Sequence, residues 1–507
     1  MESSEFAGSI ARADLVLVHG VVVTVNPGRD VIFDGGMAVA GGRILAVGSS
    51  AEIESAWGVR AAAAAGVPAP EVVDLKGKVL FPGFVNTHNH LFQTLLKGLG
   101  DDMVLKDWLA TMTFPAATHL TPDECHAAAT LGILEGIRSG MTCELDYMYA
   151  HPRAGLDEPI IEAMSSCGVR GVYGYGAIDT GLDFGADPGL VCRREDVVAQ
   201  LDRLCGAYDG SADGRIRVWA APAALWSNTE GMLRDLYDVV NAHGDGITIH
   251  VSETPFDREA TVAAHGLAGV PCLEKLGVCG PNVLMVHCVW LTDEDIALAA
   301  EHDLKVSHNP VSNMYLASGI APIPKMLAAG VTVGLGVDGA ASNNGQDMIE
   351  LMKSAALLQK VGTRDPVSMT AEKALEMATI DGARALGMED EIGSLEPGKR
   401  ADFCVFDPYA SPKSVPMHNP VSDLVYSSTM RNITDVAVDG RFLLRDGEFT
   451  LVDEEAALRE GQRAAERLCE ESGIVNRGAG HAWTLPASCR AGAPGAAMHG
   501  TLPGGRA

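Results

Sequence analysis

Pro82-Gly83-Phe84-Val85-Asn86-Thr87-His88-Asn89-His90 opens the long central part of this 507-residue chain. The run is short, apolar at its start and preceded by a Pro-Gly turn signal, as a buried strand is. Side chains two residues apart on a strand share a face, so His88 and His90 project together from its C-terminal end. Two converging imidazoles suit a single metal ion. Taken alone such a pair is a common accident, and its weight comes from the pattern of the next three hundred residues.

That pattern is a repeated alternation. From residue 84 to 390 short apolar runs alternate with longer helical patterns. The runs include Gly171-Val172-Tyr173, Ile216-Arg217-Val218-Trp219, Ile247-Thr248-Ile249-His250, Val283-Leu284-Met285-Val286-His287 and Val331-Thr332-Val333-Gly334-Leu335-Gly336. Helical stretches include Pro122 to Ser139 and Thr292 to Glu301. This β-α alternation predicts an α/β chain whose central domain is a parallel (β/α)8 TIM barrel. His250, His287 and Asp338 each stand at the C-terminal end of a predicted strand, with Glu253 three residues past His250. Barrel active sites lie at that end.

Working outward, residues 1–83 supply short strands, among them Leu15 to Val18 and Val21 to Val25. The Ala-rich stretch 51–70 reads as a loop. Strands return over 391–450, and the two sets predict one small β-sandwich built from both chain ends. Residues 451–475 read as a C-terminal helix, and the Gly-, Ala- and Pro-rich 476–507 as a poorly ordered tail.

Composition narrows the function classes. The formal net charge of -28 would repel a phosphate backbone, which speaks against nucleic-acid partners and hints at a neutral or cationic substrate. No run approaches the roughly 18 apolar residues of a membrane span, and Met1 to Arg12 lacks the pattern of a secretory leader. Eleven scattered cysteines, without a CxxC pair, predict free thiols and a cytoplasmic setting.

The polar strand ends extend into longer motifs: His250-Val251-Ser252-Glu253, His287-Cys288-Val289, Ser307-His308-Asn309-Pro310-Val311-Ser312-Asn313, and Gly336-Val337-Asp338-Gly339-Ala340-Ala341-Ser342-Asn343. Ala378-Thr379-Ile380-Asp381-Gly382-Ala383 and Gly393 to Asp402 continue them. With the HxH stretch, these resemble the amidohydrolase superfamily, within it the deaminase and triazine-hydrolase branch. The resemblance implies that His88, His90, His250 and Asp338 bind one divalent metal, zinc first and iron second. It implies that His287 holds the attacking water, that Glu253 shuttles protons, and that Asp338 helps to deprotonate the water. A cation in such a site lowers the pKa of water and makes hydroxide available for attack on an amino-bearing ring carbon. An acid at Glu253 is then needed, because the amine must leave protonated. Homo-oligomers are usual in the superfamily, so a homo-oligomer is expected.

The resemblance also bears on the substrate, a small nitrogen-rich heterocycle such as an s-triazine, a guanine or pterin, or a pyrimidine. Gln93 can donate and accept hydrogen bonds and so read an amidine-like edge. Trp108 and Phe92 could line an aromatic wall, Tyr147 and Tyr149 follow Asp146 near another strand end and are expected to enter the pocket, and Ser342 is a further pocket candidate. Adenosine-type deaminases of this branch carry a ribose-gripping Glu shortly after the position of Pro115 and a His within the segment 221–224. Here Ala116-Ala117 and Ala221-Pro222-Ala223-Ala224 stand instead. Residues 214–223 are most similar to a triazine hydrolase. The alternatives are a chlorohydrolase on the same scaffold, an adenosine- or S-adenosylhomocysteine-type deaminase, and a non-catalytic scaffold, which the complete ligand set opposes.

Overall fold

A computed structural model of the chain describes residues 12–474. Eight parallel strands form the barrel: β6 (Phe84–Asn89), β7 (Met141–Met148), β8 (Arg170–Tyr175), β9 (Ile216–Ala220), β10 (Ile247–Val251), β11 (Val283–His287), β12 (Lys305–His308) and β13 (Val333–Leu335). They pair in chain order, and helices such as Pro122–Arg138 and Glu230–His243 carry the chain back between them. The barrel closes where β13 meets β6. There the Asp338 N–H bonds the His88 carbonyl at 2.9 Å, and the Asn86 side chain accepts from the Val337 N–H at 3.0 Å. The expected (β/α)8 architecture is therefore present.

The chain ends form a second sheet. Its strands are β1 (Leu15–Val23), β2 (Val31–Ala40), β3 (Arg43–Ser49), β4 (Glu71–Asp74) and β5 (Val79–Pro82) from the front, and β14 (Phe403–Phe406), β15 (Ile433–Val438), β16 (Arg441–Arg445) and β17 (Glu448–Phe449) from the back. The order is β17-β16-β15-β14-β5-β1-β2-β3, with β4 beside β1. The front and back strands thus join in one continuous sheet, through the antiparallel pair β5 and β14. It curls: Arg43, at the start of β3, bridges to Arg400 just before β14. Leu17, Met37, Val39, Leu80, Phe403 and Val405 share the core inside the curl.

Two local expectations change. The stretch 51–70 is helical, with helices Ser50–Trp57 and Val59–Ala65. Alanine is the strongest helix former, and Ser49 with Glu52 makes a complete capping box at the first helix. The runs Leu15–Val18 and Val21–Val25 are one strand through Val23, with the pairing to β2 shifted near His19 and Gly20. His19 has φ of 60°, and a Cβ on Gly20 would lie 2.4 Å from the Leu75 side chain, so the irregularity needs this glycine. The C-terminal helix runs Glu454–Ser472, and the expected tail falls outside the described residues.

One buried ion cluster ties barrel to sheet. Arg170 on β8 donates to Asp402 at 3.0 Å and to Asp439 at 3.0 Å, and Arg170 and Asp402 are buried. Replacing Arg170 by Met strands the Asp402 carboxylate without its counter-charge, so the expected loss is about 3–5 kcal/mol. A calorimetric melting temperature for Arg170→Met checks this, and the double replacement with Asp402→Leu is expected to recover part of the loss.

Candidate metal centre and active site

Each candidate side chain sits where its strand ends. His88 is the last residue but one of β6 and His90 follows the strand, His250 is on β10, His287 ends β11, and Asp338 lies just past β13. Glu253 follows β10 through Ser252, whose φ is 52°. His287, Cys288 and Asp338 also have positive φ, at 67°, 53° and 68°. Non-glycine residues in this region cost of order 1–3 kcal/mol each, and they cluster where function over-determines the backbone. The strand-end turns bend the side chains inward to a single locus.

The convergence is tight. His88, His90 and His250 each bring one ring nitrogen within 4.8 Å of the others, and His88, His287 and Asp338 form a second such group. Asp338 Oδ1 lies 3.3 Å from His88 Nε2 and 3.6 Å from His90 Nε2, while Oδ2 lies 3.8 Å from His287 Nε2. Glu253 Oε2 is 3.7 Å from His287 Nε2.

Hydrogen bonds outside this cluster set the tautomers. The Nδ1 of His90 faces the Tyr147 carbonyl at 2.7 Å and that of His250 the Ala223 carbonyl at 2.6 Å. A carbonyl only accepts, so both Nδ1 atoms carry hydrogen and both Nε2 atoms present a lone pair to the centre. His287 Nδ1 meets Asn313 Oδ1 at 3.0 Å with the same consequence. His88 is fully buried, and neither ring nitrogen has a well-aligned hydrogen-bond partner among the described residues, its 3.3 Å approach to Asp338 included. A buried polar atom left unmade costs about 1–3 kcal/mol, which a cation at the imidazole lone pair would relieve. Three imidazoles and one carboxylate fit a zinc-type divalent ion with an open position.

The electrostatics favour the same occupant. Burial drives the imidazoles of His88 and His90 down to about 3, so both are neutral at neutral pH. Burial alone would push the Asp338 carboxyl up, but His88, His287 and His90 outweigh it and hold it well below the usual carboxylate range. Glu253 goes the other way: burial raises it, and His287 only partly offsets the effect. The two carboxyls are thus shifted in opposite directions.

The centre forms the floor of a cleft enclosing about 610 Å³, part of it open to solvent. Gln93, Trp108, Tyr149 and Ser342 all line it, as do His90, His250, Glu253, His287 and Asp338. Gln93 packs on Gly339, where a Cβ would lie 1.9 Å from its Oε1. Tyr149 stands beside the Gln93 carboxamide, but neither amide atom of Gln93 has an aligned partner among the described residues. Trp108 donates its Nε1–H to the Ala341 carbonyl at 3.0 Å, which fixes the indole plane. The Ser342 hydroxyl is engaged with the Gly339 carbonyl and Ser312.

Phe92 and Tyr147 do not line the cleft. Phe92 is buried behind His90 and Tyr149. Tyr147 packs behind the imidazoles, its ring centroid 4.5 Å from that of His250, and its hydroxyl bonds the Pro222 carbonyl. Sequence reasoning missed Phe114, Ile178, Trp226 and Asp257, which also line the cleft. It missed Ser318 too, whose hydroxyl donates to Glu253 Oε1 at 3.1 Å. Asn313 closes a motif that was legible, but its bond to His287 was not.

The chain matches the family model described as "Amidohydrolase family" over residues 79–443. It is 39% identical over 403 residues to a 5'-deoxyadenosine deaminase of Methanobrevibacter smithii, covering 79% of this chain and 89% of that one. It is 37% identical over 447 residues to a 5-methylthioadenosine/S-adenosylhomocysteine deaminase of Syntrophobacter fumaroxidans, covering 86% and 94%. Among solved structures it resembles a zinc-bound adenosine deaminase from Xanthomonas campestris, with TM-score 0.82, 29% identity, and coverage of 90% of this chain and 99% of that one.

The depressed imidazoles make the cation-free protein sensitive to acid. His88 moves from an ordinary 6.5 to about 3 on folding, so between those pH values the unfolded chain binds a proton that the folded chain does not. Stability from this term is complete above 6.5 and is lost as pH falls toward 3, with a limiting slope of about 1.4 kcal/mol per pH unit per group. His90 adds to the same slope. Chelator-treated protein is expected to melt at a lower temperature at pH 5 than at pH 7.5. An equal melting temperature at both would contradict neutral buried imidazoles.

Proposed function

This chain belongs to the amidohydrolase family, and we propose that it is a metal-dependent hydrolytic deaminase of a planar aminated nitrogen heterocycle that needs no ribose for recognition. Four side chains, His88, His90, His250 and Asp338, hold one divalent metal in this reading, and zinc suits their donor set. The zinc bound in the Xanthomonas campestris deaminase supports that choice. When bound, the metal acts as a Lewis acid that makes hydroxide available near neutral pH.

The observation that carries the reading is Glu253, a buried carboxyl facing His287 beside the ligand cluster. Attack by water on the amino-bearing ring carbon generates a proton that must reach the ring nitrogen, and the amine needs another before it leaves. Glu253 is raised by burial and so can both accept and return that proton. His287, with Nδ1–H tied to Asn313, turns its Nε2 lone pair toward the attacking water. Asp338, held ionised, accepts the second water proton and passes it to the departing amine. The products are ammonia and the ring carbonyl.

Recognition falls to Gln93 and the apolar walls. Its carboxamide has a free donor and a free acceptor, which match the N–H and ring-nitrogen pattern of an amidine edge. Trp108, Phe114 and Trp226 offer faces to a flat ring. Ala223 lines the cleft, and Ala116 and Ala117 are buried, so none of these three positions carries a charged or hydroxyl-reading group that could hold a sugar. A second reading, an adenosine derivative as substrate, draws support from the deaminases of such compounds that are 37–39% identical to this chain. Both readings share the amidine-edge chemistry and differ in the sugar.

Ammonia release from melamine, ammeline, guanine, a pterin, cytosine, adenosine and 5'-deoxyadenosine separates them. Release from free rings with little from the nucleosides is expected; preference for the nucleosides would establish the second reading. Glu253→Gln is expected to lower kcat by about 10²–10⁴-fold, the usual contribution of a positioned acid–base group. Full deamination by that variant would remove the proton-shuttle role. His250→Ala is expected to lose the metal, as read by elemental analysis after dialysis.

A further inference from the structure

The motif ending in Asn313 and the turn after it are unassigned by the reaction, yet they touch both proton-handling side chains. Asn313 Oδ1 holds His287 Nδ1 at 3.0 Å. Ser318 Oγ donates to Glu253 Oε1 at 3.1 Å. The two residues are tied together, because the Ser318 N–H bonds the Asn313 carbonyl at 2.9 Å. A third bond, from Trp290 Nε1 to the Ser318 carbonyl at 2.8 Å, pins the far end of the turn. Both residues are buried, and Leu316 between them lines the cleft.

The backbone of this turn is constrained. Ala317 has φ of 54° and Gly319 has φ of 128°, so Ser318 is flanked by two residues in the left-handed half of the map. A Cβ on Gly319 would lie 2.9 Å from Val289 Cγ1. The unusual backbone therefore holds the Ser318 hydroxyl against the carboxyl at depth, where a freely rotating surface serine would find water.

We infer that the turn Asn313–Ser318 is a clamp that keeps Glu253 and His287 in register, and that Ser318 selects Glu253 Oε2 as the oxygen that carries the transferred proton. The argument is one of donors and acceptors. A hydroxyl that donates to Oε1 leaves that oxygen as an acceptor, and a proton on the carboxyl then resides on the other oxygen. Oε2 is the oxygen turned to His287, at 3.7 Å. The water O–H bond breaks as Oε2–H forms, and Oε2–H breaks as the ring N–H forms, so Glu253 ends the transfer as it began. Asn313 contributes the same control to His287 by holding the Nδ1–H tautomer. Asn313 and Ser318 are positioning residues, since each acts through another side chain.

This inference rests on the proton-shuttle reading of Glu253, and two independent measurements test it. The first is kinetic. Ser318→Ala is expected to lower kcat about 10-fold while KM stays within about twofold, the size typical of lost orienting hydrogen bonds at metal sites. Metal content and melting temperature are expected to stay at their wild-type values, and Ser318→Thr, which keeps the hydroxyl, to recover most of the loss. Wild-type kcat in Ser318→Ala, or a loss seen only in KM, overturns the clamp. The second is crystallographic and needs no substrate. In Ser318→Ala the Glu253 carboxyl is expected to rotate or to split between conformers while Cα of 313–319 stays in place. A carboxyl that superposes on the wild-type position overturns the clamp even if the wild type deaminates nothing on the panel, an outcome that would defeat the functional reading separately.

Discussion

Closure of the barrel at β6 and β13 fixes the distance between the two halves of the site. The bond from the Asp338 N–H to the His88 carbonyl joins the backbones of two of the four expected metal ligands. The carboxylate and the imidazole therefore face each other at 3.3 Å because the backbone just past β13 is hydrogen-bonded to the end of β6. His90, one residue beyond the end of β6, and His250, across the barrel on β10, complete the group, His250 from a direction that the local stretch could not provide. A slip in strand register would turn alternate side chains to the opposite face and scatter the cluster.

Around that centre, burial and hydrogen bonding divide the protonation states. Imidazoles deep in the barrel are neutral and keep lone pairs available, while Asp338 among them stays ionised. Glu253, only a few ångströms away, is raised instead, because burial and the nearby Asp338 charge outweigh what His287 and the Ser318 hydroxyl offset. Two carboxyls of similar intrinsic acidity are thus shifted in opposite directions by their surroundings. Carbonyls from Tyr147 and Ala223 and the carboxamide of Asn313 hold the ring orientations on which this division depends. Among the described residues no helix is long and apolar enough to cross a membrane.

The relatives and the cleft inform different levels of the function. Identity of 37–39% over most of the chain places it in the amidohydrolase family, and the relatives so matched are deaminases. The lining sets the chemistry of the cleft. Apolar side chains from several elements, Trp108, Phe114, Ile178, Trp226 and Leu316, dominate the walls, and Gln93 is an uncommitted polar group among them. Gly339 is needed beside it, since any side chain there would occupy the space of the carboxamide.

Much of this was legible in the chain itself. Apolar runs ending in His or Asp declared the strands and their C-terminal ends, because strand periodicity and barrel polarity are local properties that any stretch carries alone. The Ala-rich 51–70 reads as a loop only while the Ser49 and Glu52 cap goes unweighed, although that signal is also local. Other features had no local signal. That front and back strands would merge in one sheet depends on β5 meeting β14 across more than three hundred intervening residues. Tyr147 and Tyr149 looked equivalent in the sequence, yet one supports the imidazoles from behind and the other lines the cleft. Ser318 belongs to no recognisable motif, and its meeting with Glu253 arises only when the turns after β10 and β12 fold over the same barrel mouth. The barrel strands and the residue types that reach the mouth are readable along the chain, because these depend on spacing along one strand. Tertiary structure alone decided tautomer, protonation and which oxygen of a carboxyl is free, because those depend on partners contributed by other strands.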